Sequence, residues 1–360
     1  MANDKLSWET TEQLNAGIDV SFFDTRIKMT ADWYLKNTRD LLLMATIPAS
    51  SGFTQAMMNI GSMRNQGVEV TLDLVPVQRK KFTWTMNFNI AMNRNTVTAL
   101  TNDQYSLLSA DVKWDYNYNS QYPYITQVGK PSGMMYGYIY EGTYKPEDFD
   151  GNVLKKGIPY MTSVGRENVR PGDPKYRDVN PDGKIDDNDR TVIGCGQPLH
   201  TGGFGNSFNI YGFDVNIFFS WSYGNDILNA NRLIFENGSK QNLNLFDSYS
   251  GYWSEDDQTS DIPRIGANGM SVYSSRVIED GSFLRLKNLT VGYTFPRTIL
   301  RKMHFDTMRV YLSAENLFTL TRYTGQDPEV STRNTVLTPG FDWSAYPRSR
   351  SVTAGLSFTF

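Results

Sequence analysis

Over long stretches of the chain apolar and polar residues alternate one by one, the pattern of a strand with one apolar face. Leu14, Ala16, Ile18, Val20 and Phe22 are apolar, whereas Asn15, Gly17, Asp19 and Ser21 between them are polar or small. After Phe23-Asp24-Thr25 the pattern resumes with Ile27, Met29, Ala31, Trp33 and Leu35 against Lys28, Thr30, Asp32 and Tyr34, which predicts a hairpin with a tight turn. A second hairpin is expected from 68–74 and 82–92 across Gln78-Arg79-Lys80-Lys81, and a third from 204–210 and 213–223 across Tyr211-Gly212. A fourth joins 289–295 to 308–314 through a connection with room for a short helix. Val352, Ala354, Leu356, Phe358 and Phe360 end the chain as a ninth strand.

The expected strands run about 10 to 12 residues, longer than the usual 5 or 6 of globular sheets and close to the length that crosses a bilayer when tilted. Connections also alternate. Short ones fall near residues 24, 78 and 211 and a medium one near 300, between long excursions at 37–66, 93–202, 224–282 and 322–347. Outer-membrane barrels place short turns on the periplasmic side and long loops outside. Phe22 and Phe23, Trp33 and Tyr34, Phe82 and Trp84, Trp221 and Tyr223, Tyr293 and Phe295, and Phe358 and Phe360 fall near strand ends, where aromatic girdles meet headgroups. The fold class is all-β, an antiparallel transmembrane β-barrel; the alternative is a soluble all-β carbohydrate-binding or adhesion module.

Composition changes this picture in three places. Aromatic residues make up 13% of the 360, beside 39% hydrophobic and 20% charged, which suits strands with only one apolar face. A net charge of -3 argues against a nucleic-acid partner. Cys195 is the only cysteine, so no intramolecular disulfide framework exists. Met1-Ala2-Asn3-Asp4-Lys5 lacks the features of a secretory signal, and an odd strand count beginning outside implies further strands before the first. A nine-stranded ribbon alone would leave two unpaired edges in lipid.

Lys5-Leu6-Ser7-Trp8-Glu9-Thr10-Thr11, Asn59-Ile60-Gly61 with Asn65-Gln66-Gly67-Val68-Glu69, the stretch Asp178 to Asp186, Gly281-Ser282-Phe283-Leu284-Arg285-Leu286-Lys287-Asn288-Leu289, Asn316-Leu317-Phe318-Thr319 and the closing Gly355-Leu356-Ser357-Phe358-Thr359-Phe360 together resemble the SusC/RagA family of TonB-dependent outer-membrane transporters. The resemblance implies an outer-membrane location and a 22-stranded barrel, of which residues 1–360 would be the C-terminal part with about nine strands. It also implies import of oligosaccharides or peptides with a SusD-like lipoprotein, powered through TonB. The signal peptide, TonB box and plug domain of a complete member are not in this sequence, so coupling to TonB is expected only through that missing N-terminal part.

Two constellations could carry binding. Asp178, Asn180, Asp182, Lys184, Asp186 and Asp189 stand at positions 1, 3, 5, 7, 9 and 12 of an EF-hand-like loop with Gly183 at the sixth, so oxygen ligands could converge on Ca2+. Pro181, the short Asp189 and the lack of flanking helices count against it, and an Asn/Asp/Gly turn cluster is the alternative. Trp114, Tyr116, Tyr118, Tyr122 and Tyr124, interleaved with Asp115, Asn117, Asn119 and Gln121, suit sugar stacking or lid contact, as does Trp253 beside Tyr252. Packing of a long loop on itself is the competing reading. His200 and His304 are isolated and no nucleophile or phosphate-loop motif is present, so no enzyme activity and no required cofactor are expected.

Overall fold

The computed structural model describes residues 6–360 apart from 47–54, 60, 101–103, 110–111, 113, 119–120, 239–241, 302–303 and 333–334. Lys5, Ile60 and Asn119, named above, lie outside the described residues. Among the described residues the main sheet has nine antiparallel strands, each paired with its neighbours in sequence order. They are β1 (Thr10–Phe22), β2 (Ile27–Arg39), β3 (Ser62–Arg79), β4 (Phe82–Ala99), β5 (His200–Ile210), β6 (Phe213–Tyr223), β7 (Phe283–Thr294), β8 (Thr307–Thr321) and β9 (Ser351–Thr359).

Alternation puts whole rows on one face. Ile18, Ala31, Val70, Ile90, Gly202, Trp221, Leu284 and Leu320 follow one another across the ladder from β1 to β8. The adjacent row, Asp19, Thr30, Thr71, Asn89, Gly203, Ser220, Arg285 and Thr319, lies on the opposite face. The first face is an apolar wall with exposed Leu14, Ile18, Val68, Met92, Val291, Leu312 and Leu356, which a sheet in water would not leave open. We call it the outward face and the polar one the inward face. Asn206 sits polar on the outward face, and the Trp84 indole N–H donates to its Oδ1 at 3.1 Å, so neither group is left unpaired towards lipid.

The turns follow the residues. Tyr211 and Gly212 both have positive φ, +49° and +93°, as the tightest two-residue hairpin requires. The connection from β7 to β8 holds the short helix Arg297–Leu300.

Two expectations are corrected. β3 and β4 are 18 residues each and extend to Ser62 and Ala99, so the loops expected at 37–66 and 93–202 give up their ends to the wall. Beyond Val68 and Met92 the alternation changes phase: Arg64 and Arg94 point outward, whereas Met63, Val97 and Leu100 form a buried apolar cluster on the inner side. Tyr34, assigned above to an interfacial girdle, faces inward, its hydroxyl donating to Asn93 Oδ1 at 3.1 Å.

Two inward rings lie flat on the wall. Cβ atoms added at Gly67 and Gly355 would collide with the rings of Tyr34 and Tyr311, so only glycine lets these rings rest against the strand.

The long connections fold together at the end of the sheet opposite the short turns. Ser106–Ser109, Tyr124–Gln127, Met134–Gly137 and Thr191–Cys195 form a four-stranded sheet. Asp226–Asn229 pairs antiparallel with Ile278–Asp280 and parallel with Phe341–Asp342, so the β6–β7 and β8–β9 connections interlock. Val112, Tyr118, Tyr124, Met135, Leu228, Leu233, Tyr273, Val277 and Phe341 are the core of this loop layer.

Candidate functional site

The inward wall is polar, and side chains on neighbouring strands pair its charges and amides. Arg309 on β8 clasps Asp214 on β6 with two bonds, 2.9 and 2.6 Å, spanning the side-chain-free Gly292 between them on β7. Thr30 donates to Asp19 Oδ1 at 2.6 Å, Asn87 to Asp73 Oδ1 at 2.6 Å, and Ser207 to Asn216 Oδ1 at 2.7 Å. A polar solute meets hydrogen-bonding groups here rather than a dry core.

The loop layer is tied to this wall by a buried ion cluster. Arg285 on β7 bonds Asp327 at 2.6 Å and Glu329 at 3.4 Å, and Arg348 reaches Glu329 at 3.1 Å. Both Arg285 and Asp327 are nearly solvent-free, so the pair fixes the β8–β9 connection to the rim. Within the layer Glu236 is held by Arg276 at 2.7 Å and by Arg232 at 3.0 Å, and Asp173 by Arg264 at 2.9 Å. Burial nonetheless holds the Asp173 carboxyl above the usual carboxylate range, with Arg264 opposing the shift. Asp226 is likewise raised by burial and by Asp280 beside it, while the Cys195 N–H donating at 2.7 Å works in the other direction.

Between the helix Ala230–Phe235 and the β8–β9 connection lies a cleft of about 770 Å³. Phe235 floors it, set against Phe246 with ring centroids 5.1 Å apart and against Trp343 at 6.2 Å. Tyr346 stands on its rim 91% exposed. The charges that line it are spent: Glu236 on its two arginines and Ser248, and Asp342 on the Tyr323 hydroxyl at 2.5 Å. Burial and that carboxylate push the Tyr323 phenol far up, so it stays a donor. The Asn231 side chain is committed to Asn229 and to the Ser344 N–H, whereas Gln326 makes no bond within the described residues. Rings, an open amide and hydroxyls with neutralised charge suit an uncharged polar ligand that stacks.

The expected aromatic contacts divide. Tyr118, Tyr124 and Trp253 are buried and pack the loop layer, so they do not present rings to a ligand. Trp114 packs on Tyr118 and donates to the Tyr273 hydroxyl at 2.7 Å. Tyr122 is half-buried, and Tyr116 is 89% exposed on the turn Tyr116–Tyr118. The rings of the cleft, Phe235, Phe246 and Tyr346, went unread in the sequence because they come from two connections and share no spacing.

In the 178–189 loop the carboxylates bond the loop's own backbone. Asp189, buried, accepts from the N–H groups of Val179, Asn180 and Asp186 at 2.8–3.0 Å. Asp178 Oδ2 accepts from Gly183 at 2.8 Å, Asp182 Oδ1 from Lys184 at 2.9 Å, and Asp186 Oδ1 from Asn188 at 2.8 Å. Asn180 and Lys184 are exposed. Among the described residues no three His, Cys, Asp or Glu side chains converge as a metal site, although Asp178 Oδ1 is buried without a partner.

Comparison with known proteins agrees with this architecture. A family model described as TonB dependent receptor-like, beta-barrel matches residues 1–317. TonB-dependent receptor P3 of Formosa agariphila is 34% identical over 365 residues, covering 100% of this chain and 35% of its own length. TonB-dependent receptor SusC of Bacteroides thetaiotaomicron is 29% identical, covering 99% of this chain and 32% of its own. The structure of the RagAB peptide transporter superposes with a TM-score of 0.80 at 26% identity, over 100% of this chain and 36% of that one. The chain thus spans about a third of the length of the curated relatives it matches. Its apolar outward face is the lipid-facing wall of an outer-membrane barrel, not the surface of a soluble module, and the chain belongs to the TonB-dependent receptor β-barrel family.

Proposed function

We propose that this chain supplies wall strands and an extracellular loop layer to a SusC/RagA-like transporter, which imports oligosaccharides, or peptides, with a SusD-like lipoprotein and draws energy through TonB. The observation that carries the substrate reading is the charge-neutralised cleft, with Tyr346 and Phe246 exposed over Phe235 and the Gln326 amide open. A sugar ring offers an apolar face and hydroxyls to such a lining, whereas a peptide's charged termini find no free countercharge among the cleft's described residues. The route onward is the polar inward face, where solutes exchange hydrogen bonds with Asn87, Asn216 and their neighbours.

The test is equilibrium binding to the detergent-solubilised protein, comparing neutral oligosaccharides with peptides of similar size. Tyr346→Ala should weaken oligosaccharide binding about tenfold, the scale of one lost stacking contact. Peptide binding with no effect of Tyr346→Ala would refute the oligosaccharide reading of this cleft. For the 178–189 loop, calcium is the second proposal, favoured by the buried, unpartnered Asp178 Oδ1.

A further inference from the structure

On β4 the outward apolar residues run from Phe82 through Trp84, Met86, Phe88 and Ile90 to Met92. Ten residues of strand at about 3.3 Å each, tilted by about 40°, climb about 25 Å, the height of the apolar band of an outer-membrane barrel. Met92 is therefore the top of the band, and the next outward side chain, Arg94, stands at the level of the outer headgroups. Gln66 lies directly opposite Arg94 on β3, and Arg64 is the next outward position above Gln66. Arg64 and Arg94 are diagonal neighbours on one face, about 7–8 Å apart at Cβ, close enough for both guanidinium groups to converge on one anion.

Each guanidinium is held along one edge by neutral acceptors. Arg94 Nη1 donates to the carbonyls of Leu199 at 3.0 Å and Asn93 at 3.2 Å, and Arg64 Nε donates to Asn37 Oδ1 at 3.0 Å. Both side chains are exposed, and neither forms an ion pair with any described residue. The outward carboxylate nearest in the ladder, Glu12, is engaged by Arg39 at 3.2 Å. Neutral acceptors orient the two groups without cancelling their charge, which a surface built only for stability would not need. Exposed Val68 and Met92 lie directly beneath them, placed to contact acyl chains.

We propose that Arg64 and Arg94, with Gln66 between them, form an outward-facing site for a phosphate-bearing lipid headgroup of the outer leaflet, the acyl chains lying on Val68 and Met92. Guanidinium forks match phosphate oxygens in pairs, and the apolar band below makes the ligand a lipid rather than a free ion. This site faces away from the interior and is independent of the transported substrate.

The experiment is native mass spectrometry of the protein purified in detergent, titrated with bisphosphorylated lipid A and with the same lipid stripped of both phosphates. Bisphosphorylated lipid A should bind in preference, and Arg64→Gln and Arg94→Gln should each lower its binding about fivefold. Arg94→Lys, which keeps the charge but loses the paired fork, should bind more than Arg94→Gln and less than the wild type. Heat-modifiable migration on gels, measured for every variant, identifies those that fold, and only these are compared. Equal binding of the two lipids, or unchanged binding in a folded double glutamine variant, would overturn the site. Displacement of the lipid by millimolar inorganic phosphate would also overturn it, because the apolar contacts would then contribute nothing.

Discussion

The assignment of faces can be tested with two adjacent residues of β6. Ile217 is outward, between Asn206 on β5 and Leu289 on β7, and Asn216 is inward, bonded to the Ser207 hydroxyl. Ile217 stands four residues above Phe213 at the short-turn end, a climb of about 10 Å into a band about 25 Å tall, close to the bilayer midplane. Arginine at such a position costs about 2–4 kcal/mol. Asn216→Arg places the same side chain in the aqueous interior and loses one hydrogen bond, about 0.5–1.5 kcal/mol. Unfolding of the protein from thin phosphatidylcholine vesicles by guanidinium chloride, followed by tryptophan emission and extrapolated to zero denaturant, reads both. Ile217→Arg should cost at least about 1 kcal/mol more than Asn216→Arg. Equal losses, or a larger loss at Asn216, would refute the orientation of the whole sheet, because the ladder ties every other strand to these two positions.

Arg285→Ala should destabilise by about 3–5 kcal/mol, since it leaves the Asp327 carboxylate buried without its main partner, and should expose 322–347 to protease. Arg285→Met with Asp327→Leu should recover most of that stability; no recovery would mean the arginine does more than neutralise Asp327. Asp226 has a folded pKa above its unfolded value, so the stability it permits is full below the ordinary carboxylate range and falls as pH rises through the raised value. Asp226→Asn, whose amide oxygen still accepts from Cys195, should therefore protect the Cys195 amide from hydrogen exchange better than the wild type at pH 7 and equally at pH 3 to 4; a pH-independent difference would count against this. Calcium should slow cleavage of the 178–189 loop relative to chelator, and equal cleavage in both would remove the calcium proposal.

How much could be read in advance depended on which solvent each face meets. Between Phe82 and Met92 the alternation is apolar towards lipid and polar towards the interior, so the strands and the Tyr211-Gly212 turn were legible residue by residue. Above the band the same strands turn polar outward, at Arg64 and Arg94, and apolar inward, at Met63 and Val97. A reading locked to one phase stops at Met92 and assigns the rest to loop. The aromatic loop residues failed for another reason. Tyr118 and Tyr346 have the same chemistry in sequence, yet one is buried against Tyr273 and the other lies open on the cleft rim, a difference made by chain segments far away.

The glycines under Tyr34 and Tyr311 give the wall a property that no lining residue supplies. Because Gly67 and Gly355 carry no side chain, the two rings fold down along the strands instead of projecting across the interior. A single methyl group at either position would push the ring off the wall, and at Gly67 it would also meet the Met92 carbonyl oxygen. The relief of this inward face is set in part by two residues that present no side chain, so a glycine-to-alanine exchange at either would change its shape while leaving its polar groups the same.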